Sequence, residues 1–193
     1  MADDIVLKLY QKPQTVFTLK EISLFFPHLS YQSLKDKLAY AVETNKLRHL
    51  RKGIYTKESF NPLELANKIC TPSYISLETV LRNEGLIFQE YKTIFVASYL
   101  TRKIVIDNIE IYYRKIKNDI LINQIGIEEK GNYFIANKER AFLDAIFLYK
   151  NYHFDNLKPL NWDVVNTMKK IYHSRVLEKR AEEYYKIFKE EYA

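Results

Sequence analysis

The fold of the N-terminal part is decided by residues 18–56, which read TLKEISLFFPHLSYQSLKDKLAYAVETNKLRHLRKGIYT. Thr18 and Glu21 have the spacing of a capping box. In that motif the threonine hydroxyl accepts a hydrogen bond from the glutamate N–H, and the carboxylate reaches back to the threonine N–H. This pair predicts a helix that begins directly after Thr18. Pro27 ends it, because proline has no N–H to donate and its ring clashes with the preceding turn.

A second helix is predicted after the short turn at residues 27–29. Ser30 is a favourable N-cap, and the helical pattern extends to about Thr44. On a helical wheel of about 100° per residue, Leu34, Leu38 and Ala41 share one apolar face, which belongs to the core. Two capped helices separated by so short a turn have the spacing of a helix-turn-helix.

A β-hairpin is predicted over residues 47–56, directly after these helices. Its apolar residues alternate, and Gly53 supplies the positive φ that a tight turn needs. A hairpin in this position is a wing. Residues 46–57 contain no acidic residue and five basic ones, which are Lys46, Arg48, Arg51, Lys52 and Lys57. We therefore predict an N-terminal winged helix-turn-helix domain over residues 1–60.

The distribution of charge favours DNA as the partner of this domain. Residues 1–60 carry +4 of the total formal charge of +6. The second helix of such a pair enters the major groove, where its first turns offer Gln32 and Ser33 to base edges and its lysines to phosphates. The wing tip reaches the phosphate backbone or a minor groove. The predicted DNA-binding residues are Ser30, Gln32, Ser33, Lys35, Lys37, Tyr40, Arg48, His49, Arg51 and Lys52.

A second domain is predicted over residues 61–193, because Asn61 and Pro62 have the pattern of a new helix start. The pattern that follows is mixed, so we expect an α+β protein whose C-terminal domain is α/β and ends in helices. We predict helices over 74–84 and 138–150, strands over 93–98, 103–106, 109–114 and 132–136, and C-terminal helices with a break near 173–174.

Three phrases of the sequence resemble the AbiEi family, the antitoxin and repressor half of bacterial type IV abortive-infection toxin–antitoxin systems. They are RKGIY (51–55), PSYISLET (72–79) with Leu81 and Gly85-Leu86 following, and FIANKERAFLD (134–144). The resemblance implies a phage-defence protein that represses its own operon by binding inverted repeats in double-stranded DNA. It also implies that the C-terminal domain neutralises a nucleotidyltransferase-type toxin, without a stable complex.

Composition argues against several other classes of protein. The single cysteine, Cys70, cannot form an internal disulfide, and no basic leader or apolar span of about 20 residues is present, so we expect a cytoplasmic protein without membrane contact. The histidines lack metal-ligand spacing, and glycine-rich phosphate loops are missing. We therefore expect no metal, no cofactor and no enzymatic activity.

Other interpretations stay open at this point. Winged helices also dock proteins, so an interaction adaptor without DNA binding is the principal alternative. Asp36 and Glu43 on the second helix argue against a generic grip on a polyanion. Cys70 is expected to be a buried small hydrophobe. Glu78, Glu139 and Asp144 could form a polar cluster, although such residues more often cap a helix or form an ion pair.

Overall fold

The structure is a computed structural model that describes residues 4–90 and 92–192. It has the mixed α+β composition that the sequence predicts. The N-terminal part contains α1 (Ile5–Tyr10), β1 (Val16–Thr18), α2 (Leu19–Phe25), α3 (Tyr31–Glu43), β2 (Arg48–Arg51) and β3 (Ile54–Thr56).

The helices α2 and α3 begin where the capping residues predict. The Thr18 hydroxyl accepts from the Glu21 N–H at 3.1 Å, and the Glu21 carboxylate accepts from the Thr18 N–H at 2.8 Å. The Ser30 hydroxyl accepts from the Ser33 N–H at 3.1 Å. Local sequence therefore sets both starting points.

The predicted hairpin is present, and it belongs to a three-stranded antiparallel sheet in the order β1-β3-β2. Gly53 adopts φ +76° at the turn between β2 and β3. A bulge between His49 and Arg51 shifts the register of β2. The strand β1 was not predicted, because a three-residue strand has no legible period and its partner lies almost forty residues away.

The C-terminal part is built on a six-stranded sheet in the order β6-β7-β5-β4-β9-β8. The pairs β5–β7 and β4–β9 are parallel, and the other three pairs are antiparallel. Its elements are α4 (Pro62–Ile69), β4 (Ser73–Ile75), α5 (Glu78–Asn83), β5 (Ile94–Ser98), β6 (Arg102–Ile106), β7 (Ile109–Lys115), α6 (Asn118–Leu121), β8 (Ile127–Lys130), β9 (Tyr133–Ala136), α7 (Lys138–Leu148), α8 (Trp162–Met168), a 3₁₀ turn (Lys169–Tyr172) and α9 (Arg175–Tyr192).

One predicted C-terminal element needs correction, and one strand was not predicted. The helix predicted over 74–84 is wrong in its first part, because Ser73–Ile75 forms the central strand β4 and the helix covers only Glu78–Asn83. Leu77 turns the chain between them with φ 55°. The strand β8 was also missed. The residues of β4 are a short, mostly apolar run, which periodicity alone cannot distinguish from a buried helix, whereas β8 reads IEEK, with a single apolar residue and no alternation.

The other C-terminal predictions agree with the structure. The chain turns between β6 and β7 at Asp107 and Asn108, both of which have positive φ. The break near 173–174 lies at His173, which adopts a left-handed conformation before α9. Even α9, with 18 residues, is too polar to cross a membrane, and no other helix in the described residues has the length and hydropathy to do so.

Two large apolar clusters form the core, one within the N-terminal part and one within the C-terminal part. A third, small cluster of Val16, Ile54 and Leu65 joins them, with Ile106 and Ile109 packed against it. The buried carboxylate of Glu64 accepts from both the N–H and the hydroxyl of Thr15, at 2.9 and 2.6 Å. The two parts therefore share buried contacts, and the predicted domain boundary at residue 60 stays a prediction.

The capping carboxylate of Glu21 is also an acid-sensitive link between the parts, because it pairs with Lys68 on α4. Burial raises the pKa of Glu21, but the Lys68 ammonium and the Thr18 bonds outweigh this effect and hold the pKa below its ordinary value of 4.5. A carboxylate with a lowered pKa stabilises the fold above its unfolded-state pKa, and this stabilisation is lost as the pH falls through the folded-state pKa.

We expect Glu21→Gln to lower the free energy of unfolding at neutral pH by about 1 kcal/mol, because it removes the ion pair with Lys68 and the negative charge at the start of α2, while an amide oxygen can still accept from the Thr18 N–H. The deficit should narrow as the pH falls below 4.5, where wild-type Glu21 also loses its charge. Urea unfolding at several pH values measures both effects, with the exposed Glu190→Gln as the control. A deficit that stays constant with pH would contradict this account.

Candidate nucleic-acid interface

The helix α3 divides into an apolar face and a polar face, as predicted. Leu34, Leu38 and Ala41 are buried in the N-terminal core. The predicted DNA-binding side chains on α3 lie on the surface or at its margin: Gln32, Lys35 and Tyr40 are exposed, and Ser33 and Lys37 are half-buried. The helix therefore presents a polar surface of amide, hydroxyl and ammonium groups.

Several of these side chains already have partners within the protein. Gln32 Nε2 donates to the Asp36 carboxylate at 2.8 Å, one helical turn away. The Lys35 ammonium lies over the Tyr31 ring, 4.6 Å from its centroid. Because the amide has two N–H groups and a carbonyl oxygen, Gln32 can keep its bond to Asp36 and still offer the second N–H and Oε1 to a base edge. Asp36 therefore orients Gln32 and engages one of its two N–H groups.

The hairpin carries the second group of predicted residues. Lys52 is exposed at the turn, and Arg51 is half-buried beside it. His49 is exposed and stacks on Tyr55, with 4.7 Å between the ring centroids. Burial, followed by the neighbouring Tyr31, raises the pKa of Tyr55. Tyr55 on β3 belongs to the same buried cluster as Leu34 and Leu38 on α3, so the hairpin packs against the apolar face of this helix.

Arg48 differs from the other basic residues of the hairpin, because it forms an ion pair with the C-terminal part. Its Nη2 lies 2.5 Å from the Asp107 carboxylate, in the turn between β6 and β7. Its guanidinium also lies over the Phe60 ring, 5.7 Å from the centroid. The hydrogen bond that Arg48 donates to Asp107 raises the pKa of Arg48, so the guanidinium stays charged, and the carboxylate partly neutralises its field.

Two features of this surface could not be found from the sequence. Asp107 lies 59 residues from Arg48, and no local pattern connects them. Lys57, which belongs to the acid-free basic segment, points its ammonium back to the carbonyl of Lys12 at 2.7 Å. The basic residues of segment 46–57 therefore differ in their surroundings. Arg51 and Lys52 lie at the hairpin turn, whereas Arg48 is in an ion pair and Lys57 bonds to the backbone.

The acidic residues of the family-like phrases do not form one cluster. Asp144 lies in a buried network with Arg140 and accepts from three hydroxyl groups, those of Tyr172 at 2.6 Å, Ser76 at 2.8 Å and Tyr74 at 3.2 Å. Complete burial raises the pKa of Asp144, and Arg140 opposes that rise. The Glu139 carboxylate instead accepts from the Asn161 N–H at 3.0 Å.

The remaining polar residues of the C-terminal core also have structural contacts. Burial raises the pKa of Glu78, and its bond with Tyr149 acts in the opposite direction. Cys70 is buried, as expected, with its Sγ 3.1 Å from the Ser98 hydroxyl. Arg140 donates to the carbonyls of Ile120 and Ile125. These contacts tie helices, strands and loops together inside the core, so their first role is to hold the C-terminal part in shape.

Comparison with known proteins adds no assignment to this geometry. No protein-family model matches the chain, and no curated protein matches it. The resemblance to the AbiEi family therefore rests on the three sequence phrases at 51–55, 72–79 and 134–144.

Proposed function

We propose that this protein is a sequence-specific DNA-binding transcriptional repressor and the antitoxin of a type IV abortive-infection system. In this proposal residues 1–60 are a winged helix-turn-helix. The observation that carries it is that the hairpin, with Arg51 and Lys52 at its turn, packs in the same buried cluster as the apolar face of α3, whose other face is polar. Its double-stranded DNA target is the set of inverted repeats upstream of its own operon, in the cytoplasm.

The proposal divides the chemistry of the interface among the exposed side chains. Gln32, Ser33 and Tyr40 face the bases, where a good base contact is worth about 1 to 3 kcal/mol of discrimination. Basic side chains bind phosphates, which fixes the position of the protein on the duplex. This second group comprises Lys35, Lys37, Arg51 and Lys52. Ser30 acts through its cap on α3, and His49 and Arg48 flank the contact.

A protein-interaction adaptor is the second candidate function. Tyr31 and Tyr40 are 60% and 63% exposed on α3, and exposed tyrosines are common at protein interfaces. Asp36 on the same surface would be repelled by phosphate unless it faces a base amino group or solvent. Binding of a partner protein would not require the basic residues of the hairpin turn, and it would not require a low salt concentration. Variants of the turn therefore distinguish DNA binding from protein binding.

The first prediction concerns Arg51 and Lys52 in the turn. Replacing both by alanine should weaken binding to every duplex by at least about tenfold, because two phosphate contacts are lost. The slope of log affinity against log salt should become shallower by about 2. Lys179→Ala with Lys186→Ala removes the same charge from the exposed surface of α9 and is the control. Equal affinities for the two double variants would support the adaptor.

The second prediction concerns the Asp107 carboxylate, which competes with phosphate for Arg48. Asp107→Asn keeps a residue that tolerates the positive φ of this turn. We expect its affinity for DNA to rise by up to about fivefold, within the energy of a surface ion pair. The gain should disappear when Arg48→Ala is added. Asp119→Asn gives the same change in charge at another exposed site, and an equal gain there would contradict the local explanation.

The third prediction tests the antitoxin part of the proposal. The proposal assigns neutralisation of a nucleotidyltransferase-type toxin to residues 61–193, without a stable complex. Arg51→Ala with Lys52→Ala should therefore abolish repression and still restore growth of cells that express the toxin from an unrelated promoter. If the folded and equally abundant variant failed to restore growth, the two functions could not be separated in this way.

A further inference from the structure

A cleft of about 640 Å³ lies where α2 meets the C-terminal sheet. We call it the junction cleft and define it by Lys20, Leu24, Asn67, Tyr74, Ile122 and Phe134. Its volume is in the range of about 300 to 1,000 Å³ that is typical of sites for small molecules. The DNA-contacting residues proposed above are not among those that line it, so the cleft is open to a separate ligand.

The walls of the junction cleft are apolar and only partly covered. Leu24 on α2 is 70% exposed, Ile122 after α6 is 63% exposed, and Phe134 on β9 is 44% exposed. Three large apolar side chains from three separate elements therefore meet around one concave space. Contiguous exposed apolar surface of this kind typically marks a binding site.

The junction cleft also contains a polar group that lacks a partner. Asn67 is only 7% exposed, and its Oδ1 accepts from the Phe134 N–H at 2.5 Å. Its Nδ2 is buried and donates to no atom of residues 4–90 or 92–192. Buried polar groups nearly always have a hydrogen-bond partner, so this amide calls for an acceptor.

The charge around the junction cleft indicates the sign of that acceptor. The Lys68 ammonium is paired with Glu21, whereas Lys20 is exposed at the rim. A negatively charged acceptor would therefore accept a hydrogen bond from the Asn67 amide and also be attracted by the Lys20 ammonium. An acceptor with positive charge would meet that ammonium unfavourably.

The wall around Ile122 is held in place from below. Arg140, which is fully buried, donates to the carbonyls of Ile120 and Ile125 at 2.6 and 2.8 Å. Its guanidinium also donates to the Tyr74 hydroxyl at 3.1 Å, and Tyr74 itself lines the cleft. A site whose walls are fixed in this way loses little conformational entropy when a ligand binds.

We propose that the junction cleft binds one small amphipathic carboxylic acid. Its apolar chain packs against Leu24, Ile122 and Phe134, and its carboxylate lies close to Lys20. A displacement of the Asn67 side chain then exposes the buried Nδ2, which donates to the carboxylate. The proposal does not depend on DNA binding, since the site can be occupied and measured with the protein alone.

The test is an NMR titration of the full chain with decanoate, below the concentration at which decanoate forms micelles. We expect saturable one-to-one binding, with the largest shifts at the Asn67 side-chain amide, Ile122 and Phe134. Ile122→Glu should weaken binding at least about tenfold, because it places a negative charge at the apolar wall. Val176→Glu puts the same change on an exposed position of α9, and should leave the affinity within about twofold of wild type.

A second variant tests the amide directly. Asn67→Asp keeps an acceptor for the Phe134 N–H but replaces the free donor by a carboxylate oxygen, so decanoate should again bind at least about tenfold more weakly. The proposal is overturned if shifts do not saturate, if they lie outside the cleft, or if Ile122→Glu binds like Val176→Glu. If decyltrimethylammonium bound with the same affinity as decanoate, the claim that the cleft selects a carboxylate would be wrong. If the shifts depended on protein concentration without decanoate, the occupant of the cleft would be a second copy of the chain.

Discussion

The buried carboxylate of Glu64 is the contact on which the arrangement of the two parts depends. It accepts hydrogen bonds from both the N–H and the hydroxyl of Thr15. These bonds connect the segment before β1 to the start of α4. A unit of about 60 residues buries too little surface to be robust by itself. The Glu64 bonds, together with the small apolar cluster around Leu65, allow the N-terminal part to draw stability from the larger C-terminal core.

The same arrangement brings the C-terminal part close to the proposed DNA-binding surface. The turn between β6 and β7 reaches Arg48 through Asp107, and Lys68 on α4 reaches the capping box of α2 through Glu21. A change in the C-terminal part can therefore alter the hairpin or the first helix of the pair without contacting DNA. This route connects the antitoxin and repressor activities in the proposed function.

Local chemistry was legible in the sequence, and long-range pairing was not. Thr18, Ser30 and Asn61 cap helices in the structure as predicted, because a cap depends on residues only two or three positions away. The strands β1 and β4 pair with strands far along the chain, so periodicity did not identify them. The strand β8 pairs with the adjacent β9, but its sequence IEEK has a single apolar residue and therefore no alternation. The pairing of Arg48 and the missing partner of Asn67 Nδ2 depend on the assembled fold for the same reason. The sequence therefore named the residues of the proposed interface. It did not show which of them already bond to other side chains of the protein.

The central claim is that the surface formed by α3 and the hairpin binds DNA, and salt dependence tests it most directly. Affinity of the wild-type chain for its own upstream DNA and for a random duplex should be measured across a range of salt concentrations. If Lys35, Lys37, Arg51 and Lys52 each bind a phosphate, log affinity should fall against log salt with a slope of about −3.6, and the upstream DNA should bind more tightly at every salt concentration. Absence of binding, or an affinity independent of salt and sequence, would contradict the account.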